Sequence, residues 1–349
     1  MSGLKFSILI PTYNRAHSLG QTIKSALAQD YPDFEVIVSD NASEDATRGV
    51  VAPFLSDPRF VYRRNETNIG LFPNWARLLY EHASGDYALF LPDDDCLIND
   101  SHLTDAAALI RRHDVNFVFV DAVFENQLSG ITKRVNFDIP ELLSVDWALE
   151  NIGRRFQHNL AFSPGLASVF SVRRARELKG LFPHVCGAEG EMALRLMFDG
   201  PSAYLRNPQR LARGHKDSAG NTDRLESTLE SLAIHSRMVE FGRARGYDRG
   251  ALIRYKRRNV ALWLGEIVLP IWLGRRDAGY TRLLAFLWHK RRPLGIDAVA
   301  FARIAISPQI IGKFVSRSHP RVFKALRQIY WMLRYRSLYP REFQTTVPA

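Results

Sequence analysis

The feature that most constrains this chain is a series of short apolar runs, each broken off by a polar cluster and followed by helical spacing. Residues 6–10 (FSILI) are closed by Pro11, and residues 34–39 (FEVIVS) end at Asp40. Residues 60–62 precede a polar stretch from Asn65 to Gly70, and residues 87–91 (YALFL) end at Pro92 and three aspartates. Residues 116–124 and 167–172 continue the series. Between these runs, residues 17–28, 45–55, 74–82 and 101–113 carry helical periodicity, with Asp45 and Ser101 placed as N-caps. Strands that alternate with helices pair in parallel and need helices on both faces. An α/β fold with a Rossmann-like, mostly parallel sheet is therefore expected.

The character changes in the last third. Residues 1–224 hold 24 Lys+Arg against 28 Asp+Glu, whereas residues 225–349 hold 23 against 8, so the net charge of +11 comes from the C-terminal part. Helical spacing dominates there, with Trp263, Trp272, Trp288 and Trp331 among dense arginines and prolines at 270, 293, 308 and 320 dividing the stretch. The expectation is an α/β domain over 1–224, in halves 1–125 and 126–224, followed by a helical, basic region over 225–349. Residues 173–179 and a stretch ending at Phe198 read as helices, and residues 211–221 (LARGHKDSAGN) as a polar, flexible loop. Two cysteines, Cys96 and Cys186, make no disulfide framework, which fits a reducing compartment. No run approaches the ~20 apolar residues of a membrane span, and the opening residues lack the sections of a signal peptide.

In open parallel sheets, ligands bind where loops converge at the carboxyl ends of the strands. The candidate site residues are therefore those just after each strand. They are Pro11, Thr12, Tyr13, Asn14 and Arg15, then Asp40 to Ser43, then Asn65 to Gly70, then Asp93, Asp94 and Asp95. One polar loop needs no explanation beyond solubility, but four on one sheet edge point to a ligand. Three successive carboxylates repel one another unless a cation is present, and a hard divalent ion with phosphate oxygens is the natural partner. A solvated turn before the helix near Ser101 is the plainer reading of the same residues.

The string SILIPTYNR, FEVIVSDNASED, NIG and GDYALFLPDDD, in that order, resembles a glycosyltransferase of family 2, which has the GT-A fold. The likeness is strong over residues 4–125 and looser over 165–222. It implies transfer of a sugar from a nucleotide diphosphate donor, UDP or dTDP, to an acceptor hydroxyl with inversion. In that resemblance 1–224 is the catalytic domain, with 1–125 its nucleotide-binding half and 126–224 its acceptor half. Pro11 to Arg15 and Asp40 hold the base, with the Asp40 carboxylate suited to an imide N–H, and Asn68 and Gly70 approach the nucleotide. Asp93 and Asp94 meet the ribose and the metal, with Asp94 favoured over Asp95 for Mn2+ or Mg2+. The family commonly reads Leu-Asp-x-Asp-Asp, so Pro92 departs from it and shifts the ribose role to Asp93. An Asp-x-x-Leu-x-x-Arg-like pattern places the general base at Glu189, six residues before Arg195, with Glu191 as the alternative. His215 is a candidate metal or phosphate ligand, beside Arg213 and Lys216.

Three readings of the basic tail follow: a helical cap, a nucleic-acid surface, or contact with an anionic membrane through basic and aromatic side chains. The third is favoured, because related enzymes use lipid-linked acceptors, and no nucleic-acid recognition module is present. The expected partners are a nucleotide-sugar donor and a lipid-linked or polymeric cell-envelope glycan. The expected place is cytoplasmic, peripheral on the inner face of the plasma membrane. A catalytically silent scaffold with the same fold is the alternative from another class. A sugar nucleotidyltransferase is disfavoured because PTYNR lacks the glycines of a phosphate loop.

Overall fold

All seven residues of strand β1 (Phe6–Thr12) are buried. A strand covered on both faces shows an unbroken apolar run instead of alternation, which places it inside a sheet between two helical layers. It pairs in parallel with β2 (Phe34–Asp40) on one side and β4 (Tyr87–Phe90) on the other, and β3 (Phe60–Arg64) pairs in parallel with β2 at the edge. Between them run α1 (Ala16–Leu27), α2 (Thr47–Val51) and α3 (Leu71–Arg77), the last widening by a π turn over Leu78–His82. This is a computed structural model, and it describes residues 3–126, 130–135, 137, 139–155, 165–179, 188–214 and 225–263, with positions 284, 285 and 287–289.

The chain continues through β5 (Cys96–Leu97), α4 (His102–His113), β6 (Phe117–Asn126), β7 (Ile131–Val135), β8 (Leu142–Leu143) and α5 (Val145–Arg155). Then come β9 (Val169–Ser171), α6 (Val172–Glu177), α7 (Ala188–Asp199), β10 (Ser202–Gly214), α8 (Leu225–Ala244) and α9 (Arg249–Trp263). The strand order is β3-β2-β1-β4-β9-β6-β10-β5. The first four strands are parallel, β9 is antiparallel to β4 and β6, and β6 is parallel to β10. Alternate residues of β1 feed opposite cores. Leu9 joins Trp75, Phe90, Phe119, Phe198 and Tyr255, while Phe6, Ile8 and Ile10 join Leu19, Leu103 and Val118.

Several elements differ from expectation for identifiable reasons. The second helix is one short turn because Pro53 lies in a tighter 3-10 turn over Ala52–Phe54. Ser101 sits at the N-cap of α4, but its hydroxyl donates to Asp105 Oδ2 (2.7 Å) and does not cap a backbone amide. Residues 211–214, read as loop, are the end of β10, and residues 215–221 lie outside the described residues. Helices α8 and α9 supply Ile234, Met238, Val239, Leu252 and Tyr255 to the same core as α7. The chain divides into compact units Met1–Trp263 and Leu264–Ala349.

Candidate active site

Parallel pairing brings the polar tips of β1, β2 and β3 side by side: Thr12 is opposite Asp40, and Asp40 is opposite Arg64. Beyond Thr12, Tyr13 and Asn14 are exposed and Arg15 half-buried, while Pro11 and Thr12 are buried. Asn14 adopts a left-handed backbone (φ 54°), which asparagine tolerates. Its backbone N–H donates to Ser43 Oγ (2.9 Å), and its Oδ1 accepts from the Glu44 N–H (2.8 Å), which ties the first loop to the second.

The third loop is held by an asparagine network. Asn41 Nδ2 donates to Asn68 Oδ1 (2.8 Å) and to the Gly70 carbonyl (3.1 Å), and Asn41 Oδ1 accepts from Asn65 (3.0 Å) and the Ile69 N–H (3.0 Å). Gly70 enters α3 at φ 96°, where a side chain would be strained. Asn68 and Gly70 thus lie next to the β2 loop.

Asp40 departs from its expected role. It has no exposed surface, and it accepts from the Ser43 N–H (2.7 Å), the Tyr62 hydroxyl (2.5 Å) and Arg64 Nη1 (2.7 Å). A base imide reaches this carboxylate only by displacing one of these donors. Burial alone would raise its pKa, but the bonds from Ser43, Tyr62 and Arg64 outweigh it and hold the carboxyl below its ordinary value. Burial and Asp40 push the Tyr62 phenol up to about 12, so it stays a donor. Stability from a carboxyl with a lowered pKa is present above its unfolded value of 3.8 and lost as the pH falls through the folded one. Asp40→Asn should therefore lower stability at pH 7, because it removes the charge that the Ser43 N–H, Tyr62 and Arg64 bond. In urea melts, the gap between wild type and variant should narrow below about pH 4.

The aspartate turn follows β4 and is clamped from two sides. From α1, Thr22 Oγ1 donates to the carbonyls of Asp93 (3.0 Å) and Asp95 (2.7 Å). From β10, the Arg213 N–H donates to Asp95 Oδ1 (3.1 Å), and buried Arg210 brings Nε to 3.5 Å from Asp95 Oδ2. Asp95 is itself buried, so its carboxylate belongs to the β10 contact. Asp95 is also among the expected metal ligands, and in the structure both its oxygens face β10. The Asp93 carboxyl lies against the Thr12 side chain and the Tyr13 amide; burial, followed by the Asp94 charge, pushes it up to about 7. Burial raises Asp95 to about 6 against the pull of Arg210. This excess of negative charge is what a divalent cation relieves. Among the described residues, no three His, Cys, Asp or Glu side chains converge on one ion. The donor set therefore fits an ion held by one carboxylate, that of half-buried Asp94, with diphosphate oxygens completing it. His215 lies outside the described residues.

The candidate base, Glu189, lies in the first turn of α7. Residues 165–167 run along the end of β4: Leu166 bridges Phe90, and the Ala167 N–H donates to the Phe90 carbonyl (2.8 Å). Gly165 then touches the start of α7 so closely that an added Cβ would meet the Glu189 carbonyl oxygen at 2.4 Å. Glu189, half-buried in the first turn of α7, is thereby linked through two contacts to a strand end three residues before Asp93. Three residues of extended chain span about 10 Å. A carboxylate at a helix N-terminus is also favoured by the helix dipole. Glu191 is a different group: it is fully buried, with Oε1 bonded to Arg195 (2.9 and 3.1 Å) and Oε2 to Arg237 (2.5 and 2.8 Å). Such a carboxylate cannot meet an acceptor, which removes it as the alternative base.

Residues 7–173 match the family model described as glycosyl transferase family 2. The chain carries a family 2 glycosyltransferase domain. Among relatives, it is 33% identical over 119 residues to the poly(ribitol-phosphate) beta-N-acetylglucosaminyltransferase TarS of Staphylococcus aureus, covering 34% of this chain and 21% of that protein. It is 30% identical over 147 residues to the UDP-Glc:alpha-D-GlcNAc-diphosphoundecaprenol beta-1,3-glucosyltransferase WfgD of Escherichia coli, covering 42% and 56%. The crystal structure of residues 1–349 of S. aureus TarS aligns with a TM-score of 0.60 at 19% identity, covering 87% of this chain and 91% of that one. The same piece in complex with UDP-GlcNAc gives 0.56 at 19% identity and the same coverage. The mannosyltransferase PcManGT from Pyrobaculum calidifontis, in complex with GDP-Man and Mn2+, gives 0.52 at 16% identity, covering 92% and 89%. At these identities the structural likeness shows the fold, and the glycosyltransferase domain has the GT-A architecture. The aligned part spans only 21% and 56% of the two curated relatives.

Sequence reasoning missed Arg210, Thr22, Tyr62, Arg64 and Gly165. The Gly165 next to Pro164 read only as a turn, and a buried arginine in a strand has no local signature. Arg213 was legible as a basic residue near the site, and it reaches the aspartate turn through its backbone amide.

Proposed function

We propose that this chain is an inverting glycosyltransferase that moves a sugar from a nucleoside-diphosphate donor to a hydroxyl of a cell-envelope glycan. The observation that supports the reading is the contact of Gly165, beside the end of β4, with the backbone of Glu189, a half-buried acid in the first turn of α7. The loops from Thr12 to Arg15 and from Asn65 to Gly70 hold the nucleoside, with exposed Tyr13 offering a ring to the base. Asp93 faces the ribose, and Asp94 holds the metal. A divalent ion there supplies positive charge to the departing diphosphate.

Glu189 takes the proton of the acceptor hydroxyl as its oxygen forms a bond to the anomeric carbon. The bond from that carbon to the diphosphate breaks on the opposite face, so the configuration inverts. A carboxylate is basic enough because the proton becomes acidic only as the new bond forms. TarS was solved with UDP-GlcNAc and WfgD is named for UDP-Glc, which favours a UDP-sugar donor here. WfgD is also named for a diphosphoundecaprenol acceptor, which favours a lipid-linked glycan. No described helix is long and apolar enough to cross a membrane. Contact with an anionic membrane from the cytoplasmic side would begin at α9, where Arg254 and Arg257 are exposed.

Incubation with UDP-, dTDP- and GDP-sugars, a lipid-linked acceptor and Mn2+ tests the reading. Transfer from a UDP-sugar with an inverted anomeric centre by NMR is expected. A product that retains configuration would refute the single-base scheme, and absence of nucleotide binding across all three would favour the silent scaffold.

A further inference from the structure

Helix α7, which carries Glu189 in its first turn, is gripped at both ends by arginines, Arg237 in α8 and Arg245 directly after it. Near its start, Arg237 closes on Glu191 through Nε and Nη2 (2.8 and 2.5 Å), with Arg195 on the other carboxylate oxygen. At its end, Arg245 Nη2 donates to Asp199 Oδ1 (2.9 Å), which Arg174 also binds (2.6 Å). Phe241 lies between the two grips, under the guanidiniums of Arg195 (5.0 Å) and Arg245 (3.6 Å). Each pair is separated by eight residues on both helices, so α7 and α8 run side by side in the same direction. The grips are about 12 Å apart.

A fully buried carboxylate between two guanidiniums is a directional contact with few alternative geometries. The geometry points to Arg237 as a positioning residue for transfer: through Glu191 it sets where the first turn of α7, and so Glu189, stands. The inference rests on the assignment of Glu189 as the base. It also gives α8 a part in the chemistry, although the helix lies beyond residues 7–173 matched by the family model. Arg245 holds the far end of α7, more than two turns from Glu189, and serves packing alone.

The two grips provide their own control. In the full chain, Arg237→Met should lower kcat about 10- to 100-fold, the cost of a displacement near 1 Å, with donor KM and the Kd for UDP unchanged. Arg245→Met should lower Tm and leave kcat unchanged. If Arg237→Met is too unstable to assay, Arg237→Lys keeps a positive charge beside Glu191, already paired with Arg195, but loses the planar guanidinium grip. It should recover thermal stability but not kcat, because the charge is kept and the directional contact is not. Equal losses of kcat in Arg237→Met and Arg245→Met would overturn the proposal, as would full kcat in Arg237→Met or in Arg237→Lys. Glu189→Gln separates the two ideas: if it is active, the base assignment fails, and if it is inactive while Arg237→Met is not impaired, only the positioning role fails.

Discussion

Replacing Asp94 with Asn is expected to abolish the metal-dependent part of nucleotide binding and to lower transfer by about 1,000-fold. Asn keeps the size and the oxygen but not the charge. A hard cation that draws a single carboxylate from the protein therefore loses its only anionic protein ligand. The departing diphosphate then carries its developing charge without compensation. The measurement is UDP affinity by calorimetry with Mn2+ and with EDTA, alongside the rate of transfer. Wild type should bind UDP more tightly with Mn2+, and Asp94→Asn should show one affinity under both conditions. Retention of the Mn2+ increment in this variant would move the metal to another side chain.

Asp95 provides the contrast within the same turn. Its oxygens face the Arg213 amide and the Arg210 guanidinium in a buried contact between the turn and β10. Removing one member of such a pair is destabilising because the other charge stays buried. Asp95 thus supports the strand next door, while Asp94 is the aspartate proposed to meet the metal.

Much of this arrangement is legible along the chain because of how parallel sheets are built. Strands β1, β2 and β4 are buried on both faces and read as unbroken apolar runs, and each loop after them begins where hydrophobicity stops. The carboxyl-end rule then gathers Thr12, Asp40, Asn68 and Asp94 at one edge without any knowledge of side-chain contacts. Glu189 could be placed by its spacing from Arg195, but its rival Glu191 could be dismissed only by seeing Arg237, 46 residues away, close on it. The second half of the domain was harder to read. Strand β10 is interrupted by Asn207 at φ 79° and by register shifts around Pro208, so its pattern breaks where a strand continues. Arg210 hides in that strand, since nothing local marks a guanidinium that is to be buried against an aspartate. Asp40 misled for a related reason. A carboxylate at a strand tip looks available until Tyr62 and Arg64, from the next strand, occupy it.

The central claim is that Glu189, and no other carboxylate at this edge, removes the acceptor proton. Glu189→Gln tests it most directly, because the amide preserves size and polarity at the helix start but has no basic site. The measurement pairs the transfer rate with the Kd for UDP in the presence of Mn2+. The account predicts transfer reduced about 100- to 10,000-fold, with nucleotide affinity equal to that of wild type. Wild-type transfer by this variant would contradict it.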